Sequence, residues 1–579
     1  MIDISFEYDA IIAGAGPAGC VLASRLTEDE TKRVLLIEAG QDMIPGAEHP
    51  DILDPFALSA GSNPAFHWAG LVAECGIDPG DGSPRATIPY LQACCVGGAS
   101  NINGMAVDRG QPEDYDYWQS LGASDWGWDN VLPYFRKLEQ DLDFTGVNNS
   151  SMHNSDGPMP VGRIPRSQLA PFTAAVGDAL IHRGFPWIDD YTADFREGLS
   201  SVPTNCRMNR RVSASMAYLT RDVRRRSNLT ILANAKVQNL RLVGKRASGA
   251  VVRINGTDVV ISAKQIIVSC GALQSPALLM RSGIGPWEHL LAHGIKVVRN
   301  LSGVGSNLRN HPVLALTTYL PRAAAQPRTN VQLMQNWLRF SSHHPGCEQK
   351  DMHLMIFNKL AWHGLGSQVG AIAVSVLNSY SQGTVRLSDG ENPTVQFNFL
   401  DDSRDSERLV TGLRLALEVL TDETVRRNRH EVFIPNADLV ANLTPRSRWN
   451  RLRATGITWV LDRAPLRRRL LAAARIDPDE LLKDTEAMRQ FVRRYAYMQY
   501  HLCGTCQMGA ADNPDAVVDG AGNVHGVDAL RVADASILPT TPRGYTHFIV
   551  IMAAEKIADS VKAEWGSRDA EAQRKQVLC

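Results

Sequence analysis

Apolar positions recur along this chain with two different periods. Short apolar runs at Ala10–Ala13, Val34–Ile37 and Ile266–Val268 predict strands buried on both faces, and the mostly apolar Leu229–Leu232 and Leu530–Val532 read as further strands. The stretch Val237–Val260 is rich in β-formers, and Ala371–Asn378, Thr384–Leu387 and Val395–Phe399 alternate apolar with polar, which predicts antiparallel sheet. Helical spacing marks Trp118–Glu139, Ala170–Arg183, Glu407–Thr421 and His547–Val561. The buried-strand pattern is interrupted twice, after about Gly157 and after Val313, and returns each time. The chain therefore reads as one domain from residues 1–156, 206–312 and 495–579, and a second from 157–205 and 313–494.

What joins the first two strands gives the first domain its chemistry. After Ala13 come Gly14, Gly16 and Gly19 at Gly-x-Gly-x-x-Gly spacing, then a helix-like run, then Val34–Ile37 ending at Glu38. Gly14 permits the tight turn, Gly16 lets backbone approach a pyrophosphate, and Gly19 lets the helix pack close on the sheet. The amide groups at the helix start face an anion with the helix dipole behind them. Glu38 stands about 20 residues after the last glycine, where a carboxylate accepts ribose hydroxyls and repels a 2′-phosphate. This predicts an α/β (α+β overall) fold: a Rossmann-like domain for FAD or NAD, with a discontinuous domain on an antiparallel sheet. Gly520-Ala521-Gly522 has no helix after it, which argues against a second dinucleotide site.

Bulk properties narrow the class. With 579 residues, two or more domains are expected. The 60 basic and 61 acidic residues balance, which points away from nucleic acid. No apolar run approaches the roughly 20 residues that span a bilayer, and the N-terminus lacks the basic region and cleavage site of a signal peptide. A cytoplasmic protein is expected, with its ten cysteines reduced. The basic run Arg463–Arg475 reads as a solvated helix face, with a membrane-surface or lid helix as the alternative.

Two polar clusters and two histidines carry the candidate chemistry. Gly97-Gly98 followed by Ser100, Asn101 and Asn103 suits a large ligand lying on backbone. His501 sits in His501-Leu502-Cys503-Gly504-Thr505-Cys506, and His547 follows Gly544-Tyr545-Thr546. Imidazole exchanges a proton near neutral pH, as alcohol oxidation needs. Cys503 and Cys506 with His501 could hold zinc, but no second cysteine pair accompanies them, so no metal is expected. His353, Phe357, Trp362 and Tyr380 are candidate substrate liners.

With these motifs in view the chain resembles the glucose–methanol–choline (GMC) family of FAD oxidoreductases nearly end to end. The resemblance runs through Gly14–Gly19 with Glu38, Gly97–Asn103 with Arg109-Gly110, and Gly271-Ala272-Leu273-Gln274-Ser275-Pro276 to Gly283-Ile284-Gly285-Pro286. It continues through Gly303-Val304-Gly305-x-Asn307-Leu308, His501-x-x-Gly504-Thr505-x-x-Met508-Gly509 and Asp534-Ala535-Ser536. Within the family it is similar to bacterial choline-dehydrogenase-like enzymes and to oxidases of aryl or heteroaryl primary alcohols. The resemblance implies FAD contacts at Gly14, Gly16, Pro17, Ala18, Gly19, Glu38, Ala39, Trp68, Gly98, Asn103, Gly104, Ala106, Val237, Asp534, Ala535, His547 and Phe548. It implies that His501 is the base beside flavin N5, that His547 is its partner, and that Tyr500 joins them at the substrate. Ile102 stands where some members attach FAD through histidine, so non-covalent FAD is expected. Asn310 stands where the motif usually has Asp, and Ala99 replaces a usual Ser or Cys.

The implied reaction is oxidation of an alcohol to an aldehyde, with a proton taken by His501, hydride passed to flavin N5, and electrons passed on to oxygen or another acceptor. A choline-type dehydrogenase is one alternative. A lyase of the hydroxynitrile type, with FAD only structural, is the other.

Overall fold

The buried runs assemble into one sheet and the alternating segments into another. The computed structural model describes residues 7–54, 56–76, 85–144, 151–326, 332–435, 440 and 442–578, with side chains to residue 570. The first residues, on which the signal-peptide expectation rests, lie outside this part, as do residues 77–84 of the Pro/Gly/Asp-rich region.

Tyr8–Ala13 lies at the centre of the seven-stranded first sheet. It runs parallel to Val34–Ile37 on one side and to Thr257–Val268 on the other. Leu229–Leu232 extends the sheet beyond Val34–Ile37, and Leu530–Val532 pairs parallel with Thr257–Val268. Ala235–Val243 and Arg246–Ile254 add an antiparallel meander. The sequence suggested a break before Ile266. Instead one 12-residue strand serves both halves: Thr257–Ser262 pairs with the meander, and the strand continues from Ala263 beside Tyr8–Ala13. The polar residues at the join keep the period of two, with Ala263 and Gln265 buried and Lys264 exposed.

The helix Pro17–Leu26 follows the glycine turn and packs against Thr546–Leu578, the long C-terminal helix. A buried carboxylate fixes that packing. Glu555 accepts Arg25 Nη2 at 2.8 Å, the Tyr218 hydroxyl at 2.8 Å and Lys137 at 3.1 Å.

The second sheet has eight strands. Its order is Arg475–Ile476, Val432–Phe433, Pro312–Tyr319, Val369–Val376, Met352–Phe357, Met334–Phe340 and Gly198–Ser201, with Tyr497–Met498 also on Pro312–Tyr319. Period two divides its side chains. Leu314, Leu316, Leu338, Leu354, Ile356, Ile372 and Val374 share a core with Leu409, Leu413 and Leu417 of the helix Ser403–Thr421. Val313, Trp337, Met355 and Ala373 point the other way and pack with Ala106 and Tyr545. That second face carries the candidate site.

Two expectations change. Thr384–Arg386 and Thr394–Gln396 are not part of the large antiparallel sheet. They form a small four-stranded sheet with Val72–Glu74 and Thr87–Pro89. Within Arg463–Arg475, the helix Ala464–Leu471 is mostly exposed, but Arg467 is buried and paired with Glu431. No helix among the described residues is long and apolar enough to cross a membrane.

Candidate active site

The glycine turn has the shape its spacing predicts. Gly14 has φ +99°, and a Cβ there would lie 2.4 Å from the Ser269 carbonyl oxygen. A Cβ on Gly19 would lie 2.0 Å from the Gly14 carbonyl oxygen, so helix and strand touch backbone to backbone. At Gly16 the nearest protein atom to such a carbon is 3.9 Å away, leaving that side open. Pro17 opens the helix and Ala18 is buried in it. Glu38 is buried at the end of its strand and accepts N–H groups from Ala15 at 2.9 Å and Gly40 at 3.0 Å. Burial raises the Glu38 pKa, while the N–H donors of Gly40, Ala15 and Ala39 oppose the rise. Lys236, next to Val237 in the chain, places its ammonium 5.2 Å from the Trp68 ring centre.

The second loop leans on the first. Gly97 N–H donates to the Ala15 carbonyl at 2.7 Å, and Gly98 has φ +51°, with its Cβ direction meeting Gly16 Cα at 2.8 Å. Gly104 has open space on its side-chain face, and Ala106 is buried. Arg211 ties the loop together, which the sequence did not reveal. Its guanidinium donates to Asn103 Oδ1 at 2.6 Å, to the Asn103 and Ala57 carbonyls at 2.8 Å, and to the Ser100 carbonyl at 3.1 Å. All four acceptors are neutral, and burial lowers the Arg211 pKa to about 10. Asp534 is likewise committed to structure: it accepts Gly271 N–H at 2.8 Å, Ser275 Oγ at 2.5 Å and Ser536 N–H at 2.8 Å. It thereby fixes the backbone of Ala535 and the start of the helix Gly271–Arg281.

His501 is held from two directions. The Asn310 amide oxygen accepts the backbone N–H of His501 at 2.8 Å and that of His311 at 2.9 Å. The oxygen that an aspartate would offer is therefore supplied by Asn310. The His501 ring meets His311, Nδ1 to Nδ1 at 3.0 Å, and lies against Tyr545 with ring centres 4.5 Å apart. Burial pushes the His501 pKa well below its ordinary value. Its Nε2 makes no hydrogen bond among the described residues. His547 begins the C-terminal helix two residues after Tyr545 and makes no side-chain hydrogen bond among the described residues. Burial, then the Arg211 charge, lowers the His547 pKa to about 4. Phe548 beside it is buried. No ring contact joins His501 to His547 among the described residues; Tyr545 stands between them in the chain.

Tyr500 has φ +63°, is exposed, and packs on Tyr90 with ring centres 5.2 Å apart. Beyond His501 an aromatic wall continues through Tyr545, Trp337, His353 and Tyr191. Tyr545 Oη donates to Met355 Sδ at 2.9 Å, and Gln499 Nε2 to the same sulfur at 3.1 Å. Of the liners expected from sequence, His353 and Phe357 belong to this face. Trp362 donates to the Thr444 carbonyl and Tyr380 to Glu348, so both are engaged elsewhere.

Cys503 and Cys506 are buried free thiols, and burial pushes the Cys503 pKa up to about 12. They form no ligand cluster with His501 among the described residues. The one such cluster is Glu139, Asp141 and His153, and the guanidinium groups of Arg109 and Arg163 already bond its carboxylates.

These features fit a bound flavin dinucleotide. The open side of Gly16 admits a pyrophosphate, and Glu38 keeps lone pairs beyond the two N–H groups it accepts. Comparison with known proteins agrees. Residues 8–313 and 379–554 match the N- and C-terminal models of the GMC oxidoreductase family. The chain is 35% identical to 5-(hydroxymethyl)furfural oxidase of Methylovorus sp. (strain MP688), over 97% of this chain and 99% of that one. It is 32% identical to oxygen-dependent choline dehydrogenase of Pseudomonas savastanoi pv. phaseolicola, over 96% and 94%. The crystal structure of pyridoxine 4-oxidase from Mesorbium loti superposes with a TM-score of 0.78 at 27% identity, over 96% of this chain and 99% of that one. The chain belongs to the GMC oxidoreductase family and is an FAD-dependent oxidoreductase acting on the CH–OH group of alcohols.

Proposed function

We propose that this enzyme oxidises a primary alcohol of the aryl or heteroaryl type to its aldehyde. His501 Nε2 takes the hydroxyl proton. His547 donates a hydrogen bond to the same oxygen and holds it in place. The Tyr545 ring, backed by the buried Trp337 and His353, packs along a flat substrate and keeps water out. FAD, when bound, accepts the hydride at N5. Gly14, Gly16, Pro17, Ala18, Gly19, Glu38, Ala39, Trp68, Gly98, Asn103, Gly104, Ala106, Val237, Asp534, Ala535, His547 and Phe548 are the proposed FAD contacts. We read the cofactor as non-covalent because Ile102 offers no nucleophile. Oxygen or another acceptor takes the electrons. The chain divides as residues 1–156, 206–312 and 495–579 for FAD and 157–205 and 313–494 for substrate, and the enzyme works in the cytoplasm.

One observation carries this reading: burial keeps the His501 imidazole neutral, with one ring nitrogen tied to His311 and the other without a partner among the described residues. A neutral imidazole with a free nitrogen is a proton acceptor. The aryl preference rests on the Tyr545 ring and on charge: the groups that bear on His501 are His311 and His353, with no carboxylate among them within the described residues. A choline-type cation would be expected to meet a carboxylate there, although aromatic faces can also hold one. The test is anaerobic mixing of the holoenzyme with benzylic, furanic, pyridine-type, aliphatic and quaternary-ammonium alcohols. Fast bleaching of the flavin by the ring-bearing alcohols, slowed at least roughly a hundredfold in His501→Ala, supports the reading. Release of aldehyde from a hydroxynitrile with the flavin still oxidised would point to the lyase.

A further inference from the structure

We infer that His311 is a positioning residue that fixes the tautomer of His501, leaving a lone pair on Nε2. The inference rests on the proposed role of His501 as the base.

One chain of hydrogen bonds runs from Pro542 through His311 to His501. His311 Nε2 lies 3.0 Å from the carbonyl oxygen of Pro542. A carbonyl only accepts, so the proton is on His311 Nε2. A neutral imidazole has one N–H, so His311 Nδ1 is an acceptor. His311 Nδ1 lies 3.0 Å from His501 Nδ1, and that contact is a hydrogen bond only if His501 Nδ1 carries the proton. His501 is neutral as well, so its Nε2 is bare. The reverse polarity would set the His311 Nε2 lone pair against the Pro542 oxygen and is excluded by repulsion.

Both rings stay neutral. His311 is fully buried, and the charged group acting on it is the Arg408 guanidinium. His501 faces His311, His353 and the Tyr545 ring, and Tyr545 spends its proton on Met355 Sδ. The frame is stiff at each end. Asn310 Oδ1 holds the backbone N–H of both histidines. Beyond Pro542, Arg543 bonds Asp114 through its backbone N–H at 2.8 Å and its Nε at 2.7 Å. In water the neutral imidazole side chain favours the proton on Nε2, which cannot take a proton there. His311 reverses that preference. When Nε2 accepts the substrate proton, the imidazolium keeps donating Nδ1–H to His311, which stabilises the charge.

The test uses the holoenzyme with 15N-labelled histidine. In the wild type, His501 Nδ1 should show the 15N shift of an N–H nitrogen and Nε2 that of an unprotonated one; the reverse assignment overturns the inference even if no variant folds. In His311→Phe the two His501 signals should move together toward a tautomer mixture. The limiting rate of anaerobic flavin reduction should fall roughly a hundredfold or more, with the alcohol dissociation constant unchanged. The acid limb of the pH–rate profile should move to lower pH, because the bond favouring protonated His501 is gone. His311→Asn, whose amide oxygen lies near the place of Nδ1, should recover part of the rate. Wild-type rate, pH profile and shifts in His311→Phe, beside an inactive His501→Ala, overturn this inference alone. A His501→Ala variant that reduces its flavin at the wild-type rate overturns the proton-abstraction reading itself.

Discussion

The backbone N–H of Ala15 donates to the carboxylate of Glu38 at 2.9 Å, closing the glycine turn onto the end of the second strand. One residue thus supports the turn and offers its remaining lone pairs to a ribose. Glu38→Ala should weaken FAD binding by about ten- to a hundredfold, the cost of roughly 1–3 kcal/mol for buried donors left unpaired. Fluorescence titration of the apoprotein with FAD measures this. Unchanged affinity would remove Glu38 from the site.

Gly16 and Gly19 should fail in different ways. A methyl group at Gly19 meets the Gly14 carbonyl oxygen at 2.0 Å, so Gly19→Ala should yield little folded protein. At Gly16 the nearest protein atom is 3.9 Å from the added carbon, so Gly16→Ala should fold with the wild-type Tm as apoprotein yet bind FAD poorly. Apoprotein Tm and FAD content, measured side by side, separate the two. Loss of fold in Gly16→Ala would mean that its openness is not for a ligand.

Glu555 tests the packing beneath the site. Its fully buried carboxylate neutralises Arg25 and accepts the Tyr218 hydroxyl. Glu555→Ala should cost roughly 3–5 kcal/mol, because a partly buried guanidinium loses its partner. Chemical denaturation of the apoprotein reads this directly, and a loss under about 1 kcal/mol would show that water replaces the pair.

Two histidines should shape stability against pH from opposite sides. Burial lowers the His311 pKa to about 4, with Arg408 adding to the shift and the Pro542 carbonyl opposing it. An unfolded histidine titrates near about 6.5, so its contribution is full above that pH and is lost as pH falls toward 4, by roughly 3 kcal/mol. His153 behaves inversely. Burial alone would lower its pKa, but the hydrogen bonds its ring donates to Asp190 and Glu139 outweigh it and raise the value to about 9. Its contribution is full below about 6.5 and is lost as pH rises through 9, again by roughly 3 kcal/mol. His311→Asn should flatten the acid arm of the stability curve and His153→Gln the alkaline arm. If each variant leaves its arm unchanged, those groups do not set it.

Much of the first sheet was legible because its parallel strands are short, mostly apolar runs bounded by turn residues. Val34–Ile37, Leu229–Leu232 and Leu530–Val532 carry the bounds their sequences predict. Met334–Phe340 was not legible. It contains Gln335, Asn336 and Arg339, yet all three are fully buried, with Gln335 accepting Ala170 N–H and Arg339 donating to the Asp194 carbonyl. Polar residues satisfied by distant backbone erase the alternation that marks a strand. The site divides the same way. His501 and His547 stood out by their glycine-rich context, and the glycine turn by its spacing. His311 and Arg211 did not, because their partners lie 190 and 108 residues away and no local pattern records a contact across such a separation.

The most direct test of the account is stopped-flow flavin reduction under anaerobic conditions, comparing a benzylic or furanic primary alcohol with the same alcohol deuterated at its carbinol carbon. The flavin should bleach, deuteration should slow the bleaching, and His501→Ala should slow it at least roughly a hundredfold with FAD still bound. A flavin that stays oxidised with every alcohol, or one that His501→Ala reduces as fast as the wild type, would contradict it.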